Sequence, residues 1–186
     1  QQQCSHAQVQ LAMFSATLLP AVETLARSVL RDPVRVWVGR RNTAAATVKQ
    51  EIVYVGQESG KLTALRQMLR TGGLTPPILI FVSSKERAAE LFRELVSEGV
   101  MVDAIHADRT RDQRERVVEG FRAGRIWALI CTDLMARGVD FKGVDCVINY
   151  DVPKSAVSYI HRVGRSGRAG RRGAALTFFT EDDVDM

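Results

Sequence analysis

From residue 78 onward, short unbroken apolar runs alternate with longer stretches in which apolar residues recur every three or four positions. ILIFV at 78–82, MVDAI at 101–105, IWALIC at 126–131, VDCVINY at 144–150 and ALTFF at 175–179 read as buried strands. Between the first two, Ala88, Leu91, Phe92, Leu95 and Val96 share one helical face. Ser83 with Glu86 forms a capping box ahead of that helix, and Gly99 stands where its C-terminal cap belongs. Thr110 with Gln113 opens a second helix that stops at Gly124, and a short one is expected from Ser155 to Val163. Apolar strands separated by amphipathic helices predict an α/β fold, with a mostly parallel sheet and helices on both faces. Ligands of such sheets gather at the carboxyl ends of the strands. The polar loops after Val82, Ile105, Cys131 and Tyr150 all lie there.

The first third is less regular. VQLAMF at 9–14 reads as a strand, residues 18–30 as a helix with Pro20 near its start, and VRVWV at 34–38 and EIVYVG at 51–56 as strands. The polar stretch GRRNTAAATVKQ between the last two reads as a linker. The expected organisation is a small unit at 1–30, a linker at 31–48 and a main domain at 49–186. The opening QQQCSHAQ has no signal-peptide pattern, and the chain starts as a cut fragment would.

Composition narrows the partners. Hydrophobic residues make up 46% and charged residues 25%, the balance of a globular domain. A net charge of +5 permits a polyanionic partner without requiring one. Cys4, Cys131 and Cys146 are scattered and form no CxxC pair, which points to a reducing intracellular compartment rather than to disulfides or zinc. His6, His106 and His161 are too dispersed for a metal site, so none is expected. No apolar run approaches the ~18 residues of a membrane span, and no membrane partner is expected.

Gly56-Gln-Glu-Ser-Gly60-Lys61 imitates a phosphate-cradling loop, but it has three residues between its glycines instead of four. Leu62 stands where a magnesium-ligating hydroxyl belongs, so the stretch reads as a turn and helix start. Two later stretches carry more. Thr132-Asp-Leu-Met-Ala-Arg-Gly-Val-Asp140 follows the strand IWALIC and offers a hydroxyl, a cation, an accessible glycine amide and a carboxylate on one loop. HRVGRSGRAGRR at 161–172 holds five arginines and three glycines without an acid. Arginine forks suit phosphate, and glycine allows a backbone to approach a ligand closely. A solvated basic loop is the blander reading of such a run. The three-residue spacing of Arg162, Arg165 and Arg168, the intervening Gly164 and Gly167, and Tyr159 and His161 just ahead weigh against it.

TDLMARGVD followed by YIHRVGRSGR resembles motifs V and VI of the DEAD-box ATP-dependent RNA helicases. FSAT at 14–17 is similar to motif III, ILIFVSS at 78–84 to motif IV, residues 106–114 to the HGD…QxxR element, and VINYDVP at 147–153 to the segment between motifs V and VI. FRAGRIWALICT, ARGVDFKGV and FFTEDD resemble the Rok-type branch, which is associated with ribosome biogenesis. The resemblance covers residues 9–179 and implies the second of two RecA-like domains, preceded by the last piece of the first. The Q motif, Walker A and DEAD sequences of the family are not in this sequence.

The resemblance implies ATP and Mg2+ as cofactors, bound mainly by the first RecA-like domain, with RNA lying across both. Arg165 and Arg168 would reach the γ-phosphate as arginine fingers, and Asp140 would accept a hydrogen bond from the ribose. Thr132 and Gly138, with loop amides near Ser84 and Ala107, would contact RNA phosphates. Ser15, Thr17, Arg137, His161 and Arg162 would couple the two domains. Ala107 stands where the family commonly has glycine, and Arg111 occupies the glutamine position of QxxR. The function implied is RNA-duplex unwinding or remodelling in rRNA processing, in the nucleus or nucleolus, with this chain alone inactive as an ATPase. The alternative is a nucleotide-independent basic RNA-binding or annealing module, and a DNA-directed relative is a third reading. The apolar surface of residues 1–30 raises a further expectation, a homodimer formed by exchange of that segment.

Overall fold

The computed structural model describes residues 9–15, 17, 20–38, 46–136, 141, 143–168 and 170–184. The chain divides into two compact units, residues 1–43 and 44–186.

The smaller unit contains one regular element among its described residues, helix α1 (Pro20–Val29). Its Arg27 and Arg35 both pair with Glu23, at 3.0 and 2.7 Å. The strands expected at 9–14 and 34–38 do not form: those residues have no ladder partner among the described residues, and Phe14, Val34 and Val38 are 93%, 88% and 95% exposed. An apolar run records a need for burial, but a strand also needs a neighbour for its N–H and C=O groups.

The larger unit is built on six strands: β1 (Val48–Tyr54), β2 (Ile78–Phe81), β3 (Val102–Ile105), β4 (Ala128–Cys131), β5 (Cys146–Asn149) and β6 (Gly173–Phe179). All five pairings are parallel, in the order β1-β6-β5-β2-β4-β3. Helices α2 (Glu58–Arg70), α3 (Lys85–Ser97), α4 (Arg111–Arg122), α5 (Asp133–Ala136) and α6 (Ala156–Val163) connect them. Because strand side chains alternate between faces, each strand feeds two cores. Ile78, Ile80, Ile130 and Ile148 pack with Leu65 of α2 and Ala88, Leu91 and Leu95 of α3. Leu79, Phe81, Leu129 and Val147 pack with Val117, Val118 and Phe121 of α4, Ala136 of α5 and Val163 of α6 on the other face. Three strands, β2, β4 and β5, are buried along their whole length, and β6 is buried through its middle with partly covered ends.

Local chemistry sets the element ends. Thr110 and Gln113 form the expected capping box. The cap of α3 is Ser84 rather than Ser83: its hydroxyl accepts the Arg87 N–H at 3.2 Å. The reason is that Ser83 is drawn elsewhere, its N–H donating to Asp151 Oδ2 at 2.7 Å. β1 starts at Val48, inside the stretch expected to be linker, because residues 48–54 pair in register with 173–179 of β6. The helical turn α5 was not anticipated; four residues are too few to show a period. Gly60, in the loop that imitates a phosphate cradle, is required sterically, since a Cβ there would sit 1.9 Å from the Val55 carbonyl oxygen.

Candidate functional site

The loops ending β2, β3 and β4 bring Ser84, Ala107 and Thr132 to the carboxyl edge of the sheet. Ser84 is half-buried as the α3 cap, and Ala107 is exposed in the turn closed by Arg109 N–H on the His106 carbonyl at 3.2 Å. The first two loops are tied together by Lys85, whose Nζ lies 3.1 and 3.0 Å from the Asp108 carboxylate oxygens. The Thr132 carbonyl accepts from Met135 and Ala136 N–H at 3.1 Å each, which starts α5. Arg114 reaches this turn too, its Nη1 3.6 Å from Met135 Sδ. Arg137, Gly138 and Asp140 lie outside the described residues.

Arg162 is the centre of the arginine-rich segment and is 3% exposed. Its Nε donates to Asp133 Oδ1 at 2.7 Å and its Nη2 to Asp133 Oδ2 at 2.9 Å. Its Nη1 donates to the Asp151 carbonyl at 2.7 Å and to Asn149 Oδ1 at 3.3 Å, and the guanidinium lies 5.1 Å from the Phe81 ring centroid. Asn149 in turn donates to Thr177 Oγ1 at 3.0 Å, and Ser158 Oγ donates to the same Asp133 at 2.9 Å. One fork of donors thus fastens α6 to α5, β5 and β2. Buried guanidinium groups are tolerated only when paired and hydrogen-bonded in this way.

Arg165 and Arg168 hang from the helix end that Arg162 anchors. Arg165 is half-buried, its Nε 3.2 Å from the His161 carbonyl, and Arg168 is exposed, its Nε 2.8 Å from the Gly164 carbonyl. The turn that carries them is pinned to the sheet. Ser166 is buried and donates to the Val163 and Ala174 carbonyls, and Thr47 Oγ1 donates to the Gly167 carbonyl at 2.9 Å. Gly167 has φ +66°, and a Cβ there would lie 2.5 Å from Val48 Cγ2. This glycine therefore serves close packing against β1, a different reason from the ligand approach its sequence pattern predicts. Arg171, which matches no motif position and is expected to be solvated or to steer RNA, pairs with Asp145 at 3.0 Å.

In the smaller unit, Ser15 Oγ donates to the Thr17 carbonyl at 2.5 Å and accepts the Thr17 N–H at 3.2 Å. The segment expected to couple the two domains is thus a locally closed turn.

The sequence reading missed Asp133, Asn149 and Asp151 as anchors. The available signal was a polar pair, Asn149 and Asp151, at the end of an apolar strand where full burial makes polar groups costly. It also missed Lys61, the lysine of the imitation loop, which is 4% exposed and pairs with Asp151 at 3.2 Å and Glu58 at 2.8 Å. Burial pushes the Asp151 carboxyl up, but hydrogen bonds from Arg87 and the Ser83 N–H, together with the Arg87 and Lys61 charges, hold it below the usual carboxylate range.

Residues 60–170, more than half of the chain, match the family described as helicase conserved C-terminal domain. The chain belongs to that family. Its relatives bear out the resemblance to DEAD-box helicases. It is 58% identical over 180 residues to a probable ATP-dependent RNA helicase DDX52 of Bos taurus, covering 97% of this chain and 30% of that protein. It is 52% identical over 181 residues to the ATP-dependent RNA helicase ROK1 of Eremothecium gossypii, with coverage of 97% and 32%. The chain therefore spans about a third of the length of the curated relatives it matches. Among solved structures, S. cerevisiae Dbp5 bound to RNA and ADP BeF3 superposes with a TM-score of 0.85 at 33% identity, covering 98% of this chain and 48% of that one. Prp28 from Chaetomium thermophilum bound to ADP gives 0.69 at 32% identity, with coverage of 99% and 44%. The fold of the larger unit is the RecA-like fold of these helicase C-terminal domains.

Proposed function

We propose that this chain is the second RecA-like half of an ATP-dependent RNA helicase that unwinds or remodels RNA duplexes in rRNA processing, with residues 1–30 the end of the first domain and 31–48 the linker. The observation that carries this reading is the buried Arg162 anchor, which ties the helix that leads into two further arginines, Arg165 and Arg168, to the turn after β4 and the end of β5. Arginine forks near a transferring phosphoryl group stabilise its developing charge, the task assigned to Arg165 and Arg168. Asp140 would accept from the ribose, and Ser84, Ala107, Thr132 and Gly138 would meet RNA phosphates. Such contacts are indifferent to sequence and weaken with salt. Ser15, Thr17, Arg137 and His161 would couple the halves.

ATP and Mg2+ would be held mainly by the first domain, and this chain contributes cations rather than a phosphate cradle. Magnesium would neutralise phosphate charge there. A nucleolar location follows from the rRNA reading. The exposed Val9, Leu11, Met13 and Phe14 also favour association of two copies through residues 1–30. The test of the main reading is RNA affinity of the whole protein with and without a non-hydrolysable ATP analogue. Tighter RNA binding with the analogue is expected, and equal affinity would favour a nucleotide-independent RNA-binding module.

A further inference from the structure

A second charged cluster, made of residues not assigned above to RNA or nucleotide, lies where β2 and β5 end. Asp151 is its centre and is 7% exposed. Oδ1 accepts from Arg87 Nη2 at 2.6 Å and Lys61 Nζ at 3.2 Å; Oδ2 accepts from the Ser83 N–H and Arg87 Nε, both at 2.7 Å. Arg87 and Lys61 also pair with Glu58, and both cations face the Tyr150 ring, at 5.6 and 6.0 Å from its centroid. The main-chain oxygen of the same Asp151 accepts from Arg162 Nη1 at 2.7 Å. One residue is therefore gripped from two directions: its side chain by the loop after β2 and the first turn of α3, its backbone by the arginine that anchors α6.

Stability alone is a weak reason for such a cluster, because a buried ion network is often no better than apolar side chains of the same volume. The geometry supplies another reason. Ser83 is an exposed residue and its N–H bond to Asp151 is only part-buried, so sparing a deeply buried donor is not the main task of the carboxylate. What the carboxylate does is fix where that N–H, and the Ser84 cap beside it, stand relative to Arg162.

We propose that Asp151 is a positioning residue that holds the 83–84 loop in register with the Arg162-anchored helix, so that RNA contact and the arginine-bearing turn move as one piece. This rests on the reading that the 83–84 loop meets RNA and that Arg165 and Arg168 act on nucleotide. Loosening the register misplaces the loop donors and weakens RNA engagement, while Arg165 and Arg168 stay in place once RNA is saturating.

The experiment measures ATP turnover of the whole protein against concentration of a single-stranded RNA. Asp151→Asn exchanges one acceptor oxygen for a donor that faces Arg87, Lys61 or the Ser83 N–H. It is expected to raise the half-saturating RNA concentration about tenfold or more, with turnover at saturating RNA changed less than about threefold. Arg87→Gln, which keeps the buried carboxylate, gives a smaller shift in the same direction and serves if the first variant does not fold. Lys61→Met leaves the Ser83 and Arg87 bonds intact and is expected to lower the melting temperature with little shift in the RNA constant. Folded variants at Asp151 and Arg87 with unshifted RNA constants would overturn the inference, as would shifts at all three positions that simply track lost stability. A parent protein whose turnover ignores RNA would overturn the functional reading itself.

Discussion

Arg162 and Asp133 meet fork to fork, two parallel hydrogen bonds of 2.7 and 2.9 Å joining α6 to the turn after β4. The arginine is 3% exposed and the Asp133 side chain about a third exposed. Removing one partner of a buried pair leaves the other charge uncompensated, at a cost on the order of 3–5 kcal/mol. Asp133→Ala is therefore expected to destabilise the domain by about 3 kcal/mol, towards the low end because water reaches Asp133. Chemical denaturation measures it. The double variant Asp133→Leu with Arg162→Met should recover part of the loss; a single variant as stable as the parent would show that the pair anchors nothing.

Gly167 is expected to reject even a methyl group. Its φ of +66° and the 2.5 Å approach of Val48 Cγ2 to a Cβ act together. Gly167→Ala should cost on the order of 1–3 kcal/mol, and Val48→Ala in the same chain should make the substitution less costly. Melting temperatures of the four chains give the coupling, and additive losses would contradict the contact.

The Asp151 carboxyl predicts an acid response. Its pKa is lowered in the folded chain, so its contribution is complete above the ordinary Asp value of about 3.9 and is lost as pH falls through the lower folded value. The charged groups that touch it are Arg87 and Lys61, both of which also pair with Glu58. Asp151→Asn should be less stable than the parent at neutral pH but lose stability less steeply below about pH 4. Urea unfolding from pH 7 to 2.5 measures both slopes, and parallel curves would contradict the assignment.

Cys131 and Cys146 should be inert in the native state. Burial pushes both thiols up, Cys146 to about 12, so neither offers thiolate at neutral pH. Alkylation at pH 8 followed by peptide mass analysis should label these two only after denaturant is added.

The sheet was legible in the sequence because β2, β4, β5 and β6 are largely apolar on both faces and the helices α3 and α4 have a clear period. Thr110 and Gln113 could be placed because a capping box is local. Residues 9–14 and 34–38 were misread because pairing depends on a neighbour that the segment itself does not encode. The arginine motif drew attention to the right segment, but not to the burial of Arg162 or the packing role of Gly167. Both depend on what lies across the sheet: Asp133 and Asn149 in one case, Val48 in the other. Asp151 was hidden for the same reason, since its partners come from two separate connections, Lys61 from that between β1 and β2 and Ser83 and Arg87 from that between β2 and β3.

The central claim is that Arg168, on the turn that Arg162 anchors, acts on the reacting phosphate rather than merely holding RNA. Its direct test compares Arg168→Ala with the parent in the whole protein, measuring ATP turnover at saturating RNA and RNA affinity without nucleotide. Turnover is expected to fall on the order of 10³-fold while nucleotide-free RNA affinity changes little. Turnover near the parent's, with RNA affinity lost instead, would contradict the claim.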